Sequence, residues 1–195
     1  NIFGINFFIF YCIKIIRSFF SERIIALLKR HKIKYYLIND DVNNSHNLNL
    51  IKKSKPDIIL SLTANQIFKE KLLNIPKICC LNLHTSLLPS HRGLMPSFWA
   101  MKLNERYSGV SVFIMDKKID TGKILCQIKF RIKNFTHYEL IKKSKKIGIK
   151  CIILSIKKVL NNDFKFVKNK YKNSYNKFPS RVDVLEFKKI GKKFY

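Results

Sequence analysis

Two short apolar runs limit what this chain can become. Asp57–Leu62 reads DIILSL and Ile78–Leu83 reads ICCLNL. Neither leaves a face for water, and neither is long enough for a buried helix. Such runs belong to strands covered on both sides, the setting of a parallel sheet packed under helices. Between and after them come segments with other periods. Asn65–Leu73 is a short helix candidate, and Pro96–Glu105 opens with the proline that suits a first helical turn. Gly109–Met115 and Lys123–Phe130 read as two strands, joined by DKKIDTG, a connection too long for a tight hairpin and suited to a functional loop. Thr136–Leu160 is a long amphipathic helix whose Thr136-x-x-Glu139 start matches a capping box. Nearer the front, Ser18 or Ser21 is placed to cap a helix carrying Phe20, Ile24, Leu27 and Leu28. Lys34–Ile38 (KYYLI) reads as a strand, and the Asn-rich stretch after it as a loop or weak helix. Strands alternating with helices predict an α/β fold with a mostly parallel central sheet.

The 195 residues fit one domain, with 1–165 as its body and 166–195 as a basic, aromatic tail. The first residue is Asn, which fits a fragment or a processed chain. A formal charge of +27 points to an anionic partner such as RNA. The excess is mostly Lys, however, and Lys, Asn, Ile, Phe and Tyr all have A/T-rich codons, so biased composition is the competing explanation. The five cysteines form no CxxC pair and sit largely in apolar runs, as expected of a reduced, cytoplasmic chain. The apolar N-terminus is broken by Gly4 and Asn6 and charged at Lys14 and Arg17. It falls short of the roughly 20 apolar residues of a spanning helix, so a buried element is expected and no membrane partner.

Six glycines exclude several sites. There is no GxGxxG, no GxxxxGK[ST] and no GxSxG. Without HExxH, and with His84 and His91 seven positions apart, no metal site is expected. Any chemistry must come from positioned polar groups.

The run LNLHTSLLPSHRGLMPSFWA (Leu81–Ala100), followed after a strand by DTG at Asp120–Gly122, carries three ordered signatures. They are N-x-H-x-S-L-L-P, then R-G, then D-x-G. Together they resemble the formyltransferases that use 10-formyltetrahydrofolate, over roughly Asp57–Leu160. The spacing to Pro96 and the DTG wording are closer to the methionyl-tRNA and amino-sugar branches than to the glycinamide ribonucleotide branch. The resemblance implies a Rossmann-like domain and a catalytic trio of Asn82, His84 and Asp120. Residue types and spacing agree with that. Asn82 and His84 lie two apart on a strand and so share a face. A fixed amide stabilises an oxyanion. An imidazole assists proton movement, and a carboxylate orients it.

The resemblance also implies a folate pocket, formed by Ser86, Leu87, Leu88 and Pro89, by Gln66, Ile67 and Phe68, and on the other side by the loop from Asp116 to Asp120. Relatives often carry glycine near position 66, where this chain has Asn65-Gln66. Asn1–Phe20 also departs from the strand–helix unit with which relatives open. The co-substrate expected is 10-formyltetrahydrofolate and the partner an amine acceptor, with tRNA among the candidates. Methionyl-tRNA formyltransferases carry a further C-terminal domain that the 35 residues after Leu160 are too few to build. A sugar amine is therefore the alternative acceptor. A folate-binding pseudoenzyme and a basic RNA-binding protein are the rival functions. Folate release on turnover separates the first, and steep salt dependence without folate sensitivity marks the second.

Overall fold

The computed structural model describes residues 2–4, 9–10 and 24–195. A four-stranded sheet is the frame, in the order β1-β2-β4-β5. Its strands are β1 (Ile58–Ser61), β2 (Cys79–His84), β4 (Tyr107–Ile114) and β5 (Ile124–Arg131). The two-residue strand β3 (Arg92–Gly93) lies outside it, and pairs with β6 (Tyr175–Asn176). β1 and β2 are parallel, while β4 is antiparallel to both β2 and β5. Thus β1, β2 and β5 point the same way and β4 alone opposes them. The mostly parallel, Rossmann-like α/β sheet holds in strand direction. The antiparallel β4–β5 ladder follows from the direct connection between those strands, since a parallel pair needs a crossover.

Helix α5 (His137–Leu160) covers one face of this sheet. Both halves of its capping box form, with Thr136 Oγ accepting from Glu139 N and Glu139 accepting from Thr136 N. The helix buries Cys151, Ile152 and Val159 against Cys79, Leu81, Val110, Val112 and Leu125. Gly148 allows the close approach. A Cβ there would stand 2.7 Å from Leu83 Cδ2. The four described cysteines are free, and Cys151 packs in this core as a small apolar side chain.

Three local expectations need correction. Lys34–Ile38 is not a strand. It forms no ladder among the described residues, and Tyr36 and Leu37 stand exposed, so a β-prone sequence without a pairing neighbour stays irregular. The Asn-rich stretch is a helix, α2 (Ser45–Lys53), because the Asn44 side chain caps it by accepting from Asn47 N. The helix expected over Asn65–Leu73 shrinks to α3 (Glu70–Leu73). Its first half is drawn into hydrogen bonds with residues 40–43, described below. The helix expected near Ser18 and Ser21 appears as α1 (Ile24–Arg30), its proposed caps lying outside the described residues. Among the described residues no helix is long and apolar enough to cross a membrane.

The last thirty residues pack on the sheet domain. Helix α6 (Arg181–Lys189) is capped by Ser180 and Asp183. Its Val184 and Phe187, with Phe194, join Phe98 and Met101 of α4 (Pro96–Lys102) and Leu140 of α5 in one apolar cluster. Lys102 Nζ donates to Asp183 at 2.6 Å and Glu186 at 2.8 Å. His137 lies among Phe98, Phe187 and Phe194, and its Nε2 is buried without a partner among the described residues.

That burial lowers the His137 pKa from 6.5 to about 4. The unfolded chain therefore binds this proton first as pH falls, so stability is full above 6.5 and is lost toward 4. His137→Leu should flatten the dependence of the urea midpoint on pH in that window. An unchanged slope would locate the titrating group elsewhere.

Candidate active site

The site lies on the sheet face that α5 leaves open. Strand alternation sends Cys79, Leu81 and Leu83 toward α5, and Asn82 and His84 to the opposite side. Register adds their neighbours. Ser61 of β1 and Phe113 of β4 flank Asn82, and Ser111 stands opposite His84. The strand ends open into a cavity of about 580 Å³ that holds Asn82, His84, Phe113 and Asp120 together. This volume lies in the range of small-molecule sites. The Asn82 amide has no hydrogen-bond partner among the described residues, which leaves it free for a ligand.

His84 is buried at the end of β2. Its Nε2 lies 2.7 Å from the carbonyl oxygen of His91. A carbonyl only accepts, so the neutral ring carries its proton on Nε2. Nδ1 is then the free ring nitrogen, 3.7 Å from Asp120 Oδ2. That gap exceeds a hydrogen bond but is within ion-pair reach once the ring is protonated. Asp120 is itself fixed, its Oδ2 accepting from Gly93 N at 2.8 Å. Position 93 requires glycine. Its φ is +88°, and a Cβ would stand 2.4 Å from the Asn176 carbonyl oxygen.

The cavity walls come from two loops. Gln66, Ile67 and Phe68 form one side, and residues 115–120 the other. The Gln66 side chain is spent on structure, its Oε1 accepting from Val42 N and its Nε2 donating to the Asp40 carbonyl. Asn43 holds the same wall, donating to Ile67 O and accepting from Lys69 N. These bonds replace the helical ones expected over residues 65–69. Opposite, Asp116 Oδ1 accepts from Lys118 N and Thr121 Oγ1, folding its loop into a turn. Lys117 and Glu70 meet at 2.7 Å, joining that loop to α3.

Ser86, Leu87, Leu88 and Pro89 are not part of this lining. Leu88 packs behind Phe113 and Ile124. Ser111 Oγ accepts from Leu88 N and donates to Ser86 O, while Gln127 Nε2 donates to both Leu88 O and Ser111 Oγ. The four residues form a pinned turn that carries the chain from His84 to His91. The sequence reading also missed Thr63, Gly93, Met95 and Tyr175, all on the cavity lining. Of these only Gly93, in the R-G signature, had a local signal. Among the described residues no group of three His, Cys, Asp or Glu side chains is arranged to hold a metal ion.

An α/β sheet thus brings an amide and an imidazole from one strand and a carboxylate from the β4–β5 loop to one cavity. A family model described as Formyl transferase matches residues 23–156, well over half the chain. The chain belongs to the formyl transferase family. It is 35% identical over 128 residues to the methionyl-tRNA formyltransferase of Clostridium tetani, a match covering 65% of this chain and 41% of that protein. It is 41% identical over 103 residues to the bifunctional polymyxin resistance protein ArnA of Wigglesworthia glossinidia brevipalpis, covering 53% of this chain and 16% of that one. The chain therefore spans less than half the length of either relative. Among solved structures, a 4-N formyltransferase from Francisella tularensis superposes with a TM-score of 0.59 at 25% identity, over 72% of this chain and 63% of that one. The sugar 3N-formyl transferase WlaRD, solved in the presence of dTDP and 5-N-formyl-THF, gives 0.54 at 30% identity, over 64% and 47%.

Ser111→Ala should remove the acceptor shared by Leu88 N and Gln127 Nε2 and cost about 1–3 kcal/mol, the penalty of buried groups left unpaired. Urea unfolding measures it. A change below about 0.5 kcal/mol would mean the turn does not depend on this bond.

Proposed function

We propose that the protein transfers a formyl group from 10-formyltetrahydrofolate to an amine, with Asn82, His84 and Asp120 as its catalytic residues. The observation that carries this reading is the convergence of those three side chains on one cavity of about 580 Å³. The co-substrate reading draws on WlaRD, solved with a formylated folate, and on family membership. The amine attacks the formyl carbon, a C–N bond forms, and the carbonyl oxygen becomes an oxyanion. The Asn82 amide is the donor for that charge. His84 Nδ1 takes the proton that the amine loses, and Asp120 at 3.7 Å stabilises the resulting imidazolium. The proton passes to N10 of the folate as the C–N10 bond breaks. Ile67, Phe68 and the loop from Asp116 to Asp120 enclose the pterin. The turn from Ser86 to Pro89 and the Gln66 side chain hold these walls from behind.

The acceptor follows kinship, and methionyl-tRNA is the first choice. A sugar amine is the second, favoured by the likeness to WlaRD, a sugar 3N-formyl transferase of solved structure. In this reading residues 1–165 form the catalytic domain, residues 166–195 a basic segment docked on it, and the reaction is cytoplasmic.

Tetrahydrofolate release, measured with methionyl-tRNA and with nucleotide-linked amino sugars, should identify the acceptor. His84→Ala and Asp120→Ala should each lower turnover by at least about a hundredfold, the low end for acid–base groups. Saturating folate should raise the melting temperature of the wild type and of both variants, because it binds the native state alone. Undiminished turnover in either variant would remove that residue from the mechanism. The absence of any folate-induced shift in the wild type would reject the co-substrate.

A further inference from the structure

His91 lies outside the main cavity, yet every polar group it has is engaged. The residue is 4% exposed, with φ at +54°. A non-glycine residue holds that conformation only where its surroundings over-determine it. Here they do. Its N–H donates to Ser174 Oγ at 2.8 Å. Asn176 Nδ2 donates to its Nδ1 at 2.9 Å. Its Nε2 donates to Glu105 Oε1 at 2.9 Å. Its carbonyl receives the proton of His84 Nε2. A neutral ring with Nδ1 accepting and Nε2 donating satisfies both partners at once.

We infer that Glu105 and Asn176 are positioning residues that set the tautomer of His84 through the backbone of His91. The inference rests on the formyl-transfer reading for its kinetic consequence but not for its geometry. Glu105 comes from the turn before β4 and Asn176 from β6, so two distant segments fix one carbonyl oxygen. Three alternatives exist for the His84 ring: protonated on Nε2, protonated on Nδ1, or flipped. A carbonyl held 2.7 Å from Nε2 selects the first. It leaves Nδ1 unprotonated beside Asp120, the state in which the ring can accept a proton there. If the His91 carbonyl drifts, the Nδ1–H form gains ground, since Asp120 would accept that proton. The ring would then have no free nitrogen toward the carboxylate, and turnover would fall while the folate walls stayed intact. Neither Glu105 nor Asn176 lines the 580 Å³ cavity.

The test uses the full chain, labelled with ¹⁵N at histidine, at about pH 8, above the ordinary imidazole range. Long-range ¹H–¹⁵N spectra report the tautomer directly. Wild-type His84 should be the Nε2–H form. Asn176→Ala and Glu105→Leu should each shift it toward Nδ1–H and lower kcat by about tenfold or more, the scale of loss expected when a reacting group is misplaced. KM for folate and the folate-induced melting shift should stay within about twofold. Glu105→Gln keeps an oxygen acceptor and should restore most of the rate. Glu105 sits at the surface, so its variants keep the fold testable if Asn176→Ala does not accumulate. A wild-type Nδ1–H ring overturns the inference, as do folded Glu105→Leu protein with unchanged tautomer and unchanged kcat. An inactive wild type whose His84 is Nε2–H, and loses that form in the variants, rejects formyl transfer and supports the positioning.

Discussion

The site depends on one strand being buried from a single side. Leu81 is fully buried against α5, and Leu83 meets the helix where Gly148 lets it come close. A strand repeats every two residues, so this packing sends Asn82 and His84 to the far side with no further instruction. Shifting β2 by one residue would put the amide and imidazole into the apolar core and Leu81 into the cavity. Burial of the leucines and presentation of the polar pair are the same event. The register with β1 and β4 then brings Ser61 and Phe113 alongside Asn82 without requiring a specific contact from either.

Around that face the backbone is bent into conformations that cost energy. Thr63, Met95 and Asp120 line the cavity with φ between 51° and 57°, and His91 beside them is at 54°. Each such residue costs on the order of 1–3 kcal/mol unless its surroundings hold it. For Thr63 the β-branch makes the position more unusual still. Two of the four have visible restraints. Asp120 is held through Gly93 N, and His91 by Ser174, Glu105 and Asn176. At Asp120 and His91, long-range hydrogen bonds thus hold a backbone conformation that the residue alone disfavours. The walls follow the same logic, since Gln66 and Asn43 spend their amides on backbone groups.

Legibility in the sequence followed the range of the interaction. Strands Ile58–Ser61 and Cys79–His84 were readable because each carries a short run of apolar residues, and α5 because its capping box is complete within four residues. The Asn82, His84 and Asp120 motifs were equally legible, and their meeting follows from β2 and the β4–β5 loop. Residues 34–38 show the limit. Their β-prone composition is real, but a strand also needs a neighbour, and that is not written locally. Residues 65–69 failed for the opposite reason. They had helical promise, but the Asn43 side chain, 24 positions from Ile67 and 26 from Lys69, offered their backbone other partners. The apolar side chains of the Ser-Leu-Leu-Pro run suit a pterin wall and a core alike, and Ser111 and Gln127, from two other strands, pin the run outside the cavity lining. Tyr175 and Asn176 gave no sign at all, for a two-residue bridge has no period to detect.

That bridge makes the end of the chain a structural partner of the site. Helix α4 begins three residues after Gly93, and its Lys102 anchors Asp183 and Glu186 of α6. The segment between, residues 174–177, returns past the loop and bonds Arg92, Leu94, His91 and Trp99 in turn. The loop around Arg92 and Gly93 is thus held at both ends by elements that are themselves tied together. The Lys102 pairing draws the Asp183 pKa down to about 2, and Asp183 also closes the α6 capping box with Ser180. One carboxylate therefore serves the helix start and the helix dock. Phe187 and Phe194 pack in a cluster centred away from the one beneath β2, so the dock of α6 and the core of the sheet are two bodies of apolar packing that meet at Phe130.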